Sequence, residues 1–120
     1  MNIQQITKDA EAGDIEAQWN LSNIYYQGDD ITKDYEKAFY WVSKAAAQGH
    51  TSSQFNLGYM NYHGKATSQD YEKAFFWFSL AAEKGHASAQ NNLGVMYRDG
   101  IGVDENFEEA FIWFLIASNS

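Results

Sequence analysis

The chain has no cysteine and no proline among its 120 residues. Without cysteine there is no disulfide framework and no thiolate metal site. Without proline nothing interrupts long helical runs. Basic residues are scarce as well: eight Lys and Arg stand against sixteen Asp and Glu, a formal charge of −8. That balance argues against binding nucleic-acid phosphates, which requires clustered Lys and Arg. Its first reading is solubility, and its second a basic protein partner. No apolar run approaches the length of a membrane span. The opening "MNIQQITKDAEAGD" lacks the apolar core of a secretory signal, so the expected location is cytoplasmic, with a signal removed beforehand left open.

What is present is apolar and periodic. Hydrophobic residues make up 45% and aromatics 17%, too much for a disordered chain. The length is one domain's worth, with a modest core. The segment "DYEKAFYWVSKAAAQGH" starting at Asp34 returns as "DYEKAFFWFSLAAEKGH" at Asp70, identical at twelve of seventeen positions and 36 residues later. The same interval separates Leu21, Leu57 and Leu93, then Gly28, Gly64 and Gly100, and then Trp41, Trp77 and Trp113. Eight of the nine glycines fall on repeated positions, so they punctuate structure and do not form a phosphate loop. A fixed period of this size signals stacked units.

Each unit reads as two helices. A leading helix over about 14–27, 51–63 and 87–99 ends at a glycine, the residue that best enters the left-handed conformation beyond a helix. After a polar loop, Asp34, Asp70 or Asn106 stands at an N-cap position, and a trailing helix follows over about 35–48, 71–84 and 107–118. Residues 2–12 align with the back of a trailing helix but have lost most of its aromatics, as a polar cap should. Small residues at Ser22, Gly58 and Gly94 let helix axes approach, with Trp41, Trp77 and Trp113 expected to fill the space beside them. The expected fold is all-α: a right-handed α-solenoid of three helix-turn-helix repeats. It divides into a cap at 1–12 and repeats at 13–48, 49–84 and 85–120.

Chemistry-bearing sets are absent from the pattern. His50 and His86 follow a repeat glycine and begin a helix, which points to structure, and His63 is the one histidine outside the repeat. No two histidines are three or four apart, so no helical metal pair forms locally. Acidic pairs such as Asp29–Asp30 and Glu108–Glu109 read as solvated surface. No catalytic residue, cofactor or metal is expected.

The pattern "A-Q-x-N-L-G-x-x-Y-x-x-G" followed by "D-Y-x-K-A-x-x-W-x-x-x-A-A-x-x-G-H" resembles the Sel1-like repeat family, relatives of tetratricopeptide repeats. The resemblance covers residues 13–120, with Ser22 in place of the usual Gly, Asn61 of Tyr and Ser118 of Ala. It implies protein–protein interaction and brings no catalytic residues.

At about 3.6 residues per turn, Ala17, Leu21 and Ile24 share the repeated core side of the first leading helix, and Trp19, Asn23 and Tyr26 face the other way. Their equivalents Phe55, Tyr59 and Tyr62, then Asn91, Val95 and Arg98, differ between units, as recognition positions on a constant scaffold should. By resemblance to tetratricopeptide domains these positions line a concave groove. The candidate partner-binding residues are Trp19, Asn23, Tyr26, Phe55, Tyr59, Tyr62, His63 and Arg98, with Trp19 and Phe55 alternatively packed inside the superhelix. Asn20, Asn56 and Asn92 recur and either hold a peptide or make structural bonds. The expected function is non-catalytic binding of a protein or extended peptide. The alternative is a small acidic inhibitor or immunity-type protein neutralising a basic toxin or enzyme. At the C-terminus Leu115 replaces Ser43 and Ser79, and Ile116 replaces Lys44. With Ile112 they form an apolar patch expected to be covered, most simply by a second copy packing tail to tail about a two-fold axis, the alternatives being a partner protein or a further helix.

Overall fold

The computed structural model describes residues 2–28 and 31–119, so the Asp29–Asp30 pair lies outside the described residues. Among the described residues seven helices follow one another: α1 Ile3–Glu11, α2 Ile15–Gln27, α3 Tyr35–Ala47, α4 Thr51–His63, α5 Tyr71–Glu83, α6 Ala87–Asp99 and α7 Phe107–Ser118. The main packing is between consecutive helices only. The result is a solenoid measuring 48 × 27 × 21 Å, with a radius of gyration of 15.3 Å. A compact domain of this length would have about 13.6 Å.

The local signals act as their chemistry dictates. The side chains of Asp34, Asp70 and Asn106 accept from the amides of Lys37, Lys73 and Glu109 at 3.0–3.1 Å. Gly28, Gly64 and Gly100 close the leading helices at φ of 78°, 70° and 67°. Those are left-handed values that cost a residue with a Cβ free energy.

The core is three clusters, each joining one trailing helix to the next leading one. The first gathers Ile6, Ala10, Ala17, Leu21 and Trp41. The second holds Ala38, Val42, Ala46, Leu57 and Met60. The third holds Ala74, Phe78, Ala81, Ala82, Ala89, Leu93 and Met96. No repeat therefore completes a core alone.

Two features depart from the sequence reading. The rings filling the space over the helical glycines are phenylalanines, not tryptophans. A Cβ on Gly58 would fall 2.8 Å from the Phe78 ring, and one on Gly94 2.6 Å from that of Phe114. Trp77 instead packs against the second cluster, and Trp113 against the third. A one-residue step turns a helical side chain by a large angle, which is what separates Trp77 from Phe78. Secondly, Ile112 does not mark an end. It is 47% exposed, but Tyr40 and Phe76 at the same position in the inner repeats are 52% and 55% exposed. Phe111 does mark it: its counterpart Phe75 meets Tyr97 edge-on, while Phe111 is 65% exposed. Leu115 and Ile116 are also exposed.

Between repeats a buried amide recurs. Gln18, Gln54 and Gln90 each donate from Nε2 to a carbonyl oxygen eight residues back, those of Ala10, Ala46 and Ala82, at 3.0, 3.2 and 3.1 Å. The same carbonyls also accept from the Gly13, Gly49 and Gly85 amides at 3.0 Å, so each glutamine adds a second bond at a helix end and finds a partner for its own buried amide. Gln18 Oε1 in turn accepts from Gln48 Nε2 at 2.8 Å, and the same Gln48 amide bonds the Gly13 carbonyl. One repeat later Lys84 stands at this position and reaches only the Gly49 carbonyl. Gln54 Oε1 is then left buried with no hydrogen-bond partner among the described residues.

An unpaired buried acceptor costs about 1–3 kcal/mol. Lys84→Gln reproduces the arrangement of the first repeat and is expected to raise stability by about 1 kcal/mol. The check is a higher urea midpoint at unchanged slope. A lower midpoint would contradict the assignment.

Candidate functional site

The leading helices carry a groove whose floor comes from both leading and trailing helices. One cavity of about 280 Å³ is lined by Ser22, Asn23, Tyr26, Val42, Phe55, Asn56, Tyr59 and Met60. The adjoining cavity, of about 260 Å³, is lined by Phe55, Tyr59, Tyr62, His63, Phe78, Asn92, Val95 and Met96. Phe55 and Tyr59 belong to both, so the two cavities form one continuous surface. Six of the eight positions singled out from sequence line it: Asn23, Tyr26, Phe55, Tyr59, Tyr62 and His63.

The other two lie apart from both cavities. Trp19 is half-buried against the second core cluster, and its ring centroid is 5.1 Å from that of His50. The Arg98 guanidinium lies over the Phe114 ring and bonds Asp99 from Nε at 3.0 Å. That bond holds the Asp99 carboxyl below its ordinary range.

Histidines set the helix starts beneath this surface. His50 and His86 accept from the amides of Ser53 and Ala89 through Nδ1, each at 3.2 Å, acting as N-caps. The His86 ring also stacks on Phe55 at 4.5 Å and 20°. Phe55 therefore has one face on a capping ring and an edge in the groove. Burial holds the His86 imidazole below its ordinary pKa, because a charged ring there loses hydration.

The groove rings differ in how firmly they are held. Tyr62 packs on the third cluster, with ring contacts to Tyr71 at 5.1 Å and His63 at 5.0 Å. Tyr59 is the exposed one, 4.3 Å from the His63 ring. Burial raises the Tyr26 phenol pKa, with Tyr59 and Tyr35 adding to it and Lys33 opposing. The phenol stays a neutral hydroxyl, able to donate as well as accept. Asn56 and Asn92 line the two cavities, and neither side chain has a hydrogen-bond partner among the described residues.

The sequence reading missed the floor, made by Val42 and Met60 in one cavity and Phe78 and Met96 in the other. A signal for it was available in the chain. Ser22 and Val42, Gly58 and Phe78, and Gly94 and Phe114 are three pairs at equal spacing. A smaller floor residue goes with a larger helix residue.

Comparison with known proteins follows the same repeat. The Sel1 repeat family model matches residues 15–50, 51–86 and 87–120. The crystal structure of c5321, a protective antigen present in uropathogenic Escherichia coli strains and displaying an SLR fold, is 40% identical over 99% of this chain, with a TM-score of 0.94. A Sel1 repeat protein from Oxalobacter formigenes is 32% identical over 98% of the chain, with a TM-score of 0.93. The chain spans 26% of the length of the first and 48% of the second. Helicobacter pylori cysteine rich protein B shares the fold at a TM-score of 0.73 and 21% identity, over 99% of this chain and 90% of that one. No curated protein matches the chain.

The His86 ring gives a test of this local geometry. Its pKa is lower in the folded than in the unfolded chain. Its contribution to stability is therefore full above the unfolded value of about 6.5 and is lost as pH falls through the lower folded value. Asn also caps helices and does not titrate, so His86→Asn should flatten the fall in melting temperature between about pH 7 and pH 5. Equal pH slopes in the variant and the parent would contradict the burial argument.

Proposed function

Since the chain belongs to the Sel1 repeat family, whose members are in general non-catalytic protein–protein interaction scaffolds, we propose that it binds an extended segment of a partner protein along the groove of α2, α4 and α6. One observation carries this reading. Positions that vary between otherwise constant repeats converge on two adjoining cavities, where Asn56 and Asn92 offer amides that no described residue uses. An amide can donate to and accept from a peptide backbone, and the rings beside it supply apolar contact area at low entropy cost. This chain is then a binder and not an enzyme.

The shape favours an extended partner. The cavities are in line along the solenoid, and each has room for a side chain, not a domain. Tyr59 stands between them, shared by both and exposed. A ring at the centre of a binding surface is where truncation costs most.

Tyr59 is also the clean probe. Tyr62 packs on the core, so its removal would mix stability with binding, whereas Tyr59→Ala should leave the melting temperature nearly unchanged. Partner proteins captured from the source cell's lysate by the immobilised wild-type chain should be lost on the Tyr59→Ala chain. With the captured partner purified, the dissociation constant should rise by about tenfold or more. Equal affinity for the two chains would place the partner elsewhere.

A further inference from the structure

We infer that the first cavity is a socket for one apolar side chain of the bound segment, and that a carboxylate side chain next to it in the peptide rests on Lys33 and Lys65. This rests on the groove reading above and names the chemistry of the segment.

The socket follows from a size exchange. In the second and third repeats a glycine in the leading helix faces a phenylalanine ring, at Gly58–Phe78 and Gly94–Phe114. In the first repeat the pair is Ser22 and Val42, and both line the cavity. Losing a ring and gaining a hydroxymethyl leaves net space. In the neighbouring cavity the trade runs the other way: Phe78 fills the floor, and Val95 replaces the wall provided by Tyr59. The volumes come out close, at about 280 and 260 Å³, but only the first has a small aliphatic floor between aromatic walls. Such a site gains most from an apolar side chain.

Beyond the Tyr26 wall stand two cations, opposite in sign to the protein as a whole. Tyr26, a wall of the socket, has its ring 5.1 Å from that of Tyr35. The Lys33 and Lys65 ammonium groups each lie 5.6 Å from the centroid of that same Tyr35 ring. Lys33 comes from the first loop and Lys65 from the second, so the stacking of repeats brings them together. Ring faces attract cations, and neither ammonium has an ion-pair partner among the described residues, so both are available to a carboxylate placed beside Tyr35. In a chain of net charge −8 with only eight basic residues, this is local complementarity to a carboxylate.

The test uses a fluorescein-labelled, C-terminally amidated octapeptide, Gly-Ser-Ser-Phe-Glu-Ser-Ser-Gly, followed by anisotropy up to about millimolar protein. Two controls replace Phe-Glu by Phe-Lys or by Ser-Glu. The Phe-Glu peptide should bind about tenfold more tightly than either control. Ser22→Gly with Val42→Phe restores the pair of the other repeats, so it should keep the fold while filling the socket and weakening Phe-Glu binding at least about tenfold. Lys33→Gln with Lys65→Gln leaves the socket open and should abolish the preference for Glu over Lys. No binding of the Phe-Glu peptide, no preference among the three, or binding unaffected by the socket-filling pair overturns the inference. A natural partner that is lost with Tyr59→Ala yet indifferent to Ser22→Gly with Val42→Phe overturns the socket and leaves the groove standing.

Discussion

The bond from a buried glutamine amide to the last-turn carbonyl of the preceding helix is the constraint on which the architecture depends. Gln18, Gln54 and Gln90 make it in the same way at each junction. Its net contribution is modest, about 1 kcal/mol, but a junction that leaves the glutamine amide buried without a partner loses about 1–3 kcal/mol. The bond therefore selects one register of leading helix on trailing helix more than it adds stability. Apolar packing of the alanines at 45–46 and 81–82 supplies attraction without that precision. With the register repeated, positions 23, 59 and 95 come into line, and so do 26 and 62. A groove of related cavities follows from a structural bond in the core.

Much of this could be read from the residues. The 36-residue period, the capping Asp and Asn, and the αL glycines act locally, so their sequence signals are complete in themselves. What could not be read depends on contacts between elements. A repeated glutamine looks the same whether it is buried or solvated, and the motif gives no hint of which carbonyl it meets. Phe78 and Trp77 are neighbours in the chain, but only the packed structure decides which ring covers Gly58. Trp19 varies between repeats like a recognition residue, yet it packs against His50 and the second cluster. Variation between repeats also marks junctions adjusting to their own neighbours. Lys33 and Lys65 are 32 positions apart and meet at one ring only through stacking.

On the proposed reading, the groove is held still ahead of binding. Phe55 has one face fixed on the His86 cap and Tyr62 packs on the core, while Asn56 and Asn92 carry no described bond. The rings are thus ordered before a partner arrives, which lowers the entropy cost of association. The amides remain available to set its position. The outer face offers rings too, at Tyr40 and Phe76. They lie on the trailing helices, away from the cavities.

The tyrosines of the two faces are natural reporters for testing the proposed binding face. The central claim is that a partner lies along α2, α4 and α6. The direct measurement is an NMR titration of chain labelled with ¹³C in its tyrosine rings against the partner it captures. The resonances of Tyr26, Tyr59 and Tyr62 should shift and saturate together, with that of Tyr40 unmoved. Shifts confined to Tyr40, with Tyr59 unchanged at saturation, would contradict the account.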